Sequence, residues 1–279
     1  MPELPEVETT LRGIEAYVVG ALIKDIVVRN ASLRWPVPVK ELSQLVGLKI
    51  FKAERRAKYI LLHTSEGVIL LHLGMSGSLS VVDTKDSTKP PKKHDHIEFQ
   101  VADSSGNLKS IRLNDPRRFG CCLLIKEPVL SHKLLANLGP EPLKDEFDGA
   151  YLFKRSRGRS VAVKNFVMDG KVVVGVGNIY ASEALFSAKI WPSMAAKRLS
   201  RKRYDLLAKV IKAVLLDAIT AGGTTLNDFT QADGKPGYFK QALSVYGRDG
   251  QECVVCKTTI KAMIIGQRNT FYCPKCQTF

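Results

Sequence analysis

The sequence predicts an α+β multidomain protein with a β-rich N-terminal domain, a helical middle and a small tail closed by metal. Three observations predict it. Short apolar or alternating runs broken by turn residues fill residues 2–130, apolar positions then recur at helical spacing, and the tail carries two Cys-x-x-Cys pairs. A chain of 279 residues suits two domains and a small third, with boundaries expected at 2–130, 131–244 and 245–279.

The first element is a short helix. Pro5 fits a first helical turn, and Leu4, Val7, Leu11 and Ile14 share one apolar face of a helix expected to run to about Arg12. Strands are expected at 23–28, 48–55, 59–63, 68–73, 79–82, 96–101 and 121–125, divided by turns such as Ser65-Glu66-Gly67 and Ser104-Ser105-Gly106-Asn107. Many short strands with little helix form a sandwich or a barrel. Residues 84–93, with Lys89-Pro90-Pro91-Lys92-Lys93, read as a surface loop. The clearest helix is 201–221, where Leu206, Leu207, Val210, Ile211, Val214, Leu215, Ala218 and Ile219 step along one face and Gly222-Gly223 supplies a stop.

Composition narrows the function. Lys and Arg number 42 against 27 Asp and Glu, a formal charge of +15, which favours a polyanionic partner such as a phosphate backbone. No apolar run approaches the ~20 residues of a membrane span. The acidic opening lacks the basic and apolar segments of a secretory leader. Hydrophobic residues at 45% exclude a disordered chain, and six cysteines are too few for a disulfide scaffold.

Cys253-x-x-Cys256 and Cys273-x-x-Cys276 stand sixteen residues apart, inside the spacing of a four-thiolate Zn²⁺ site in a reducing compartment. Four thiolates leave no open coordination position, so the expected ion is structural and supplies folding energy to a segment with little core. Between the pairs, residues 258–272 suit a β-hairpin turning at Gly266-Gln267-Arg268-Asn269. Arg268 at that tip suits insertion against a nucleic acid, and equally a solvated turn. Cys121 and Cys122 lie in an apolar stretch and read as core.

The N-terminus carries unusual chemistry. Removal of Met1 ahead of Pro2 exposes a secondary amine, and α-amino groups titrate at about 7.7–8.0, so part of it is neutral near pH 7. A neutral amine attacks a sugar C1′ or an aldehyde to form an iminium. Glu3 and Glu6 lie beside it for proton transfer. The helix terminus lowers the amine pKa and the carboxylates raise it. The plainer reading is a helix start whose carboxylates complement the dipole.

Taken together the motifs carry a resemblance. Pro2-Glu3-Leu4-Pro5-Glu6-Val7-Glu8, Arg55-Arg56-Ala57-Lys58-Tyr59, His72-Leu73-Gly74-Met75-Ser76-Gly77 and Asn114-Asp115-Pro116-Arg117-Arg118-Phe119-Gly120 are followed by Gly175-Val176-Gly177-Asn178-Ile179-Tyr180-Ala181-Ser182-Glu183 and Asp233-Gly234-Lys235-Pro236-Gly237-Tyr238-Phe239. Val245-Tyr246-Gly247-Arg248 and Gly266-Gln267-Arg268 complete the series. In this order, along the whole chain, they resemble the formamidopyrimidine-DNA glycosylases, bacterial enzymes of oxidised-base repair. The resemblance implies an N-terminal β-sandwich with flanking helices, a helix–two-turn–helix domain and a C-terminal β-hairpin zinc finger, with DNA in the cleft between the domains.

It also implies roles. Pro2 is the nucleophile, Glu3 the general acid/base, and Glu6 an assistant acting through water. Lys58 neutralises a phosphate beside the damaged nucleotide, Asn178 and Arg268 contact phosphate, and Glu183 stands behind the reacting groups near the amine. Met75, Arg117 and Phe119 fill the gap left by the extruded base, and residues 226–238 close over it. His72 is read either as a phosphate neighbour or as packing. His94-Asp95-His96 has residue types that suit a metal but reads as a half-buried strand end, and the basic runs 154–159 and 197–203 suit tracking along a phosphate backbone, although most such charges are solvated. Ala57 stands where the family often has Gly, and Lys257 replaces the Gly that commonly follows the first cysteine pair. The implied partner is damaged double-stranded DNA, bound by a monomer in a bacterial cytoplasm and held at the nucleoid through DNA. Two rivals are an endonuclease VIII-like relative acting on oxidised pyrimidines and a non-catalytic, zinc-dependent DNA-binding protein. Met75, Arg117 and Phe119 favour the purine branch, and the binding protein leaves Pro2, Glu3, Glu6 and Lys58 unexplained.

Overall fold

The structure, a computed structural model, describes residues 1–279 except 85, 87, 88, 127, 223–242 and 279. It divides into two compact units. The first contains Met1–Ala136 and the second contains Asn137–Thr220 together with the cysteine-bearing tail.

In the first unit, α1 (Leu4–Val18) is followed by β1 (Leu22–Val28), α2 (Val39–Ser43), β2 (Lys52–Arg56), β3 (Tyr59–Thr64), β4 (Gly67–His72), β5 (Ser78–Asp83), β6 (Asp95–Ala102), β7 (Leu108–Asn114) and β8 (Cys121–Ile125). The strands form two antiparallel four-stranded sheets, ordered β1-β6-β7-β5 and β2-β3-β4-β8. Alternate residues of both sheets meet in one core. Ile23, Phe99, Ile111 and Leu113 come from the first sheet, and Ile60, Leu62, Ile69 and Leu71 from the second. Val7, Leu11, Ile14 and Val18 bring the apolar face of α1 into the same core. This is a sandwich and not a barrel.

Several elements differ from expectation; α2 was not foreseen, and the strand expected at 48–55 begins only at Lys52. Helix α1 continues six residues past Arg12, because Val18 extends the buried stripe. Strand β7 was not foreseen, although it lies between β6 and β5. Its outer face carries Ser110 and Arg112, both buried, which disguises the alternation. Ser110 donates to Glu98 Oε1 at 2.7 Å, and Arg29 and Arg112 pair with the same carboxylate.

The second unit contains α3 (Gly149–Ser156), α4 (Val163–Met168), α5 (Asn178–Ser187) and α6 (Arg201–Thr220), then the hairpin β9 (Lys261–Ile265) and β10 (Arg268–Tyr272). The Asp148 side chain caps α3 by accepting the Tyr151 N–H at 2.7 Å. Helix α5 is buried from Ile179 to Phe186, as expected for a central helix that is apolar on most sides. Helix α6 ends one residue short of the expected stop. Among the described residues, no helix is long and apolar enough to cross a membrane.

Leu71→Ala would open a cavity where both sheets meet, at a cost of about 2–5 kcal/mol. The expected result is a lower urea midpoint for hydrogen exchange in residues 1–136, with exchange in α5 and α6 unchanged.

Candidate active site and nucleic-acid interface

The opening residues are built into the fold. Pro2, Glu3 and Glu6 are buried, and the two carboxylates are each 2% exposed. Glu3 is the N-cap of α1. Its N–H donates to Glu6 Oε2 at 2.8 Å within a capping box. The Thr10 hydroxyl bonds the Glu6 C=O at 2.8 Å, and α1 buries Leu4 and Val7 beneath.

An ion pair ties these opening residues to the turn bearing Lys58. Glu8 on α1 accepts from Arg55 Nε on β2 at 2.8 Å, and Arg55 also donates to the Ala57 C=O at 3.0 Å. Ala57 adopts φ 56°, so the β2–β3 turn keeps the left-handed geometry that glycine ordinarily serves. Sequence reasoning missed Glu8 and Arg55 as positioning groups. They stand 47 residues apart, and only the fold brings them together.

His72 ends β4, opposite Tyr59 in register, with ring centroids 5.0 Å apart. The Gly74 N–H donates to His72 Nδ1 at 2.9 Å, which leaves the ring proton on Nε2. Burial, Lys58 and Arg34 together lower its pKa to about 4. His72 is therefore a neutral N–H donor at physiological pH, and Lys58 carries the charge. Cys121 and Cys122 are core, as expected, and burial raises the Cys121 thiol to about 12.

Met75 and the Arg117–Phe119 pair lie on two loops pressed backbone to backbone. A Cβ at Gly74, where φ is 66°, would stand 2.4 Å from the Gly120 N, and one at Gly120 would stand 2.5 Å from the His72 C=O oxygen. The second loop is braced from beneath. Asp115 Oδ2 accepts the Gly120 N–H at 2.7 Å, and His96 Nε2 bonds the Asp115 C=O at 2.9 Å. His94 and His96 are thus loop supports at a strand end. Above this frame Met75 is 38% and Phe119 42% exposed, and the Arg117 guanidinium lies 4.9 Å from the Phe119 ring centroid. Large exposed apolar side chains on a rigid support suit insertion into a base stack.

In the second unit, Asn178 is the first residue of α5, after Gly177 as N-cap. Helix-start amides at this position suit a phosphate. Lys164, 0% exposed on α4, donates to Asn178 Oδ1 at 2.6 Å, to Thr270 Oγ1 at 2.6 Å and to the Asn269 C=O at 3.2 Å. Asn178 Nδ2 reaches the same Asn269 C=O at 3.0 Å. The hairpin turns at Gly266 and Gln267, with φ 57° and 62°, so Arg268 opens β10 and is exposed. Sequence reasoning missed Lys164.

Glu183 is buried at 4% exposure. It accepts the N–H groups of Ser244 at 2.8 Å, Val245 at 3.0 Å and Tyr246 at 2.8 Å, fixing the chain as it enters the tail. Burial raises its pKa, opposed by these bonds and by Arg248. Residues 226–238 lie outside the described residues.

The cysteine quartet fits zinc. Thiolates about 2.3 Å from a shared tetrahedral centre stand about 3.8 Å apart. Here Cys253 and Cys276 sulfurs are 3.8 Å apart, Cys256 and Cys273 3.4 Å, and all four lie within 4.8 Å. The Val255 and Cys276 N–H groups each point at a cysteine sulfur at 3.4 Å. Lys257 takes φ 64°, so the first turn survives the replacement of glycine. Gln277 ties the site to the helical part, accepting the Cys273 N–H and donating to the Ile190 C=O, both at 2.9 Å.

Comparisons agree with this geometry. Residues 1–122 match the formamidopyrimidine-DNA glycosylase N-terminal domain, 138–230 the H2TH domain of the same enzymes, and 250–278 the zinc finger found in FPG and IleRS. Formamidopyrimidine-DNA glycosylase of Actinobacillus pleuropneumoniae serotype 7 is 54% identical over 277 residues, covering 99% of this chain and 98% of that one. Among solved structures, a Lactococcus lactis FPG mutant in complex with Fapy-dG-containing DNA superposes with TM-score 0.90 at 30% identity, covering all of both chains. MutM in complex with carbocyclic 8-oxo-G-containing DNA gives 0.88 at 31%, again over all of both. A β-sandwich, an H2TH domain and a four-cysteine zinc finger define a DNA glycosylase with an associated lyase activity. The chain belongs to the formamidopyrimidine-DNA glycosylase family.

Two outcomes are expected. Because the folded state keeps His72 neutral, its contribution to stability is complete above pH 6.5 and declines as pH falls from 6.5 toward about 4. NMR should show the ring titrating near 4 in the free protein. Zinc removal by a chelator, or Cys256→Ser, should release the hairpin and abolish DNA binding in a mobility-shift assay. The sandwich should keep its circular dichroism signature.

Proposed function

We propose that the protein excises oxidised purines, 8-oxoguanine and formamidopyrimidines, from duplex DNA and then cuts the strand by β,δ-elimination through a Schiff base at Pro2. The observation that carries this reading is the burial of a chain terminus beside two carboxylates, Glu3 and Glu6, at the start of a capped helix. Solvated termini do not have such surroundings.

The steps follow from the atoms. Once Met1 is removed, the Pro2 nitrogen lone pair attacks C1′ and the C1′–N bond to the base breaks, the base leaving with a proton. Glu3 protonates the ring oxygen as the sugar opens to an iminium. The iminium acidifies C2′, whose proton passes to a base while the 3′ phosphate departs. A second elimination expels the 5′ phosphate, and water returns Pro2 as the free amine. Glu6 orients Glu3 and relays protons through water. Lys58 offsets phosphate charge at the reacting sugar and His72 donates its neutral Nε2–H nearby. Asn178 and Arg268 hold phosphates, and Met75, Arg117 and Phe119 occupy the emptied stack. Glu183 supports the site through the chain segment it fixes. The zinc ion, held by Cys253, Cys256, Cys273 and Cys276, folds the hairpin that presents Arg268. The three-part division at 2–130, 131–244 and 245–279, a bacterial cytoplasmic setting and nucleoid association through DNA belong to the same proposal. Four thiols that must stay reduced support that setting.

Borohydride should trap the protein covalently on an 8-oxoguanine:C duplex. Pro2→Gly should lose most of the adduct, and Glu3→Gln should lose base excision. Faster incision of thymine-glycol duplexes would move the protein to the pyrimidine branch, and absence of any adduct would leave only DNA binding.

A further inference from the structure

The phosphate-contacting residues proposed above do not account for most of the protein's positive charge. Two runs forty residues apart, 154–159 and 197–203, hold nine Lys and Arg in thirteen positions and no Asp or Glu. The fold brings them together. The Lys197 N–H donates to the Arg159 C=O at 2.9 Å, the Ala196 N–H to the Val161 C=O at 2.9 Å, and the Arg157 guanidinium to the Leu199 C=O at 3.0 Å. Helix α3, whose last turn holds Lys154 and Arg155, packs against α6, whose first turn holds Arg201, Lys202 and Arg203. Every one of the nine is exposed except Arg203, which is half-buried.

Few of these charges are neutralised. Asp205 pairs with Arg201 at 2.9 Å. Arg155, Arg157 and Arg203 direct donors to backbone carbonyls of Lys171, Phe153, Leu199, Lys189 and Thr278. Nine cations less one anion leaves eight, more than half of the chain's +15. The arrangement also opposes stability. Helix α6 has no acidic residue in its first turn and begins with three cations, where the helix dipole is already positive. Converging like charges repel. An ordinary solvated surface mixes signs, whereas one that concentrates a single sign against local stability is arranged for a polyanion.

The strip runs into the phosphate corner of the same unit. Arg159 stands three residues before Ala162, the N-cap of α4, and α4 carries the Lys164 that holds Asn178 and the hairpin. A duplex held through Asn178 and Arg268 therefore has further cations within the same unit.

We propose that this strip is a second contact surface for the backbone of duplex DNA, outside the residues that recognise the lesion, through which the protein holds undamaged duplex. The proposal rests on the function proposed above for its partner. Each phosphate neutralised contributes about 0.9 to the slope of log K against log salt concentration.

The test uses the full-length, zinc-loaded protein carrying Arg159→Gln, Lys197→Gln, Arg198→Gln and Lys202→Gln. All four side chains are exposed and lie outside the hydrogen bonds that hold the fold. Affinity is measured against salt on an undamaged duplex just long enough for the lesion site and on one roughly three times as long, and the expected slope on the long duplex is shallower by about 2–4. The short duplex should show no change, and borohydride trapping on a short lesion duplex should be kept. An unchanged slope on the long duplex overturns the proposal, and so does an equal loss on both lengths, which would place these cations within the lesion site. If the parental protein fails to trap, the proposed chemistry is refuted, while the slopes on undamaged duplex still decide the strip.

Discussion

A reactive group at the end of a chain works only if the end is held still, and chain ends ordinarily fray. Helix α1 meets this constraint. Its stripe of Leu4, Val7, Leu11, Ile14 and Val18 is buried along the length of the helix. Its first turn is closed by Glu3 and Glu6, the two carboxylates assigned to proton transfer. The groups that cap the helix are thus the groups to which the proposed chemistry is assigned. Glu8 then carries the order onward through Arg55 to the Ala57 carbonyl, next to Lys58. Helix, turn and opening residues are tied together by an ion pair, Glu8 with Arg55, that is mostly shielded from water.

The second unit solves a similar problem with a buried charge. An ammonium removed from water is costly, and removing its partners costs more. Lys164 spends hydrogen bonds on Asn178, Asn269 and Thr270, thereby setting the start of α5 against the tip of the hairpin. Apolar residues would fill that volume with less desolvation, but they would not fix which carbonyl faces which amide. Zinc orders the base of the hairpin and Lys164 registers its tip. Glu183 fixes the strand of chain that leads into the same module through three backbone amides.

Much of this was legible in the sequence, and the exceptions have physical causes. Periodicity located α6 to within a residue, and cysteine spacing located the metal site, because both signals are local. Strand β7 escaped because its outward face buries Ser110 and Arg112 against Glu98, so polar residues there do not signal solvent. Glu8, Arg55 and Lys164 escaped because their roles arise from tertiary contacts between distant residues. Met and Phe are residue types that usually pack inside, and only exposure on two braced loops distinguishes Met75 and Phe119 from packing. The family resemblance supplied roles for them that composition and spacing did not.

The polar groups assigned to phosphate divide by range. Neutral donors, the His72 Nε2–H and the amides at the start of α5, act over hydrogen-bond distances and lose little when salt is added. Lys58, Arg268 and the basic strip act over a Debye length of about 10 Å at 0.1 M ionic strength, and their attraction falls as salt rises. A repair protein must hold any duplex loosely and one nucleotide tightly. Long-range charge serves the first requirement because every duplex carries the same phosphates. Short-range donors on rigid supports suit the second, because a hydrogen bond depends steeply on distance and angle. Keeping His72 neutral belongs to the same logic: a second cation beside Lys58 would strengthen attachment to all DNA equally and would not help to distinguish the damaged site.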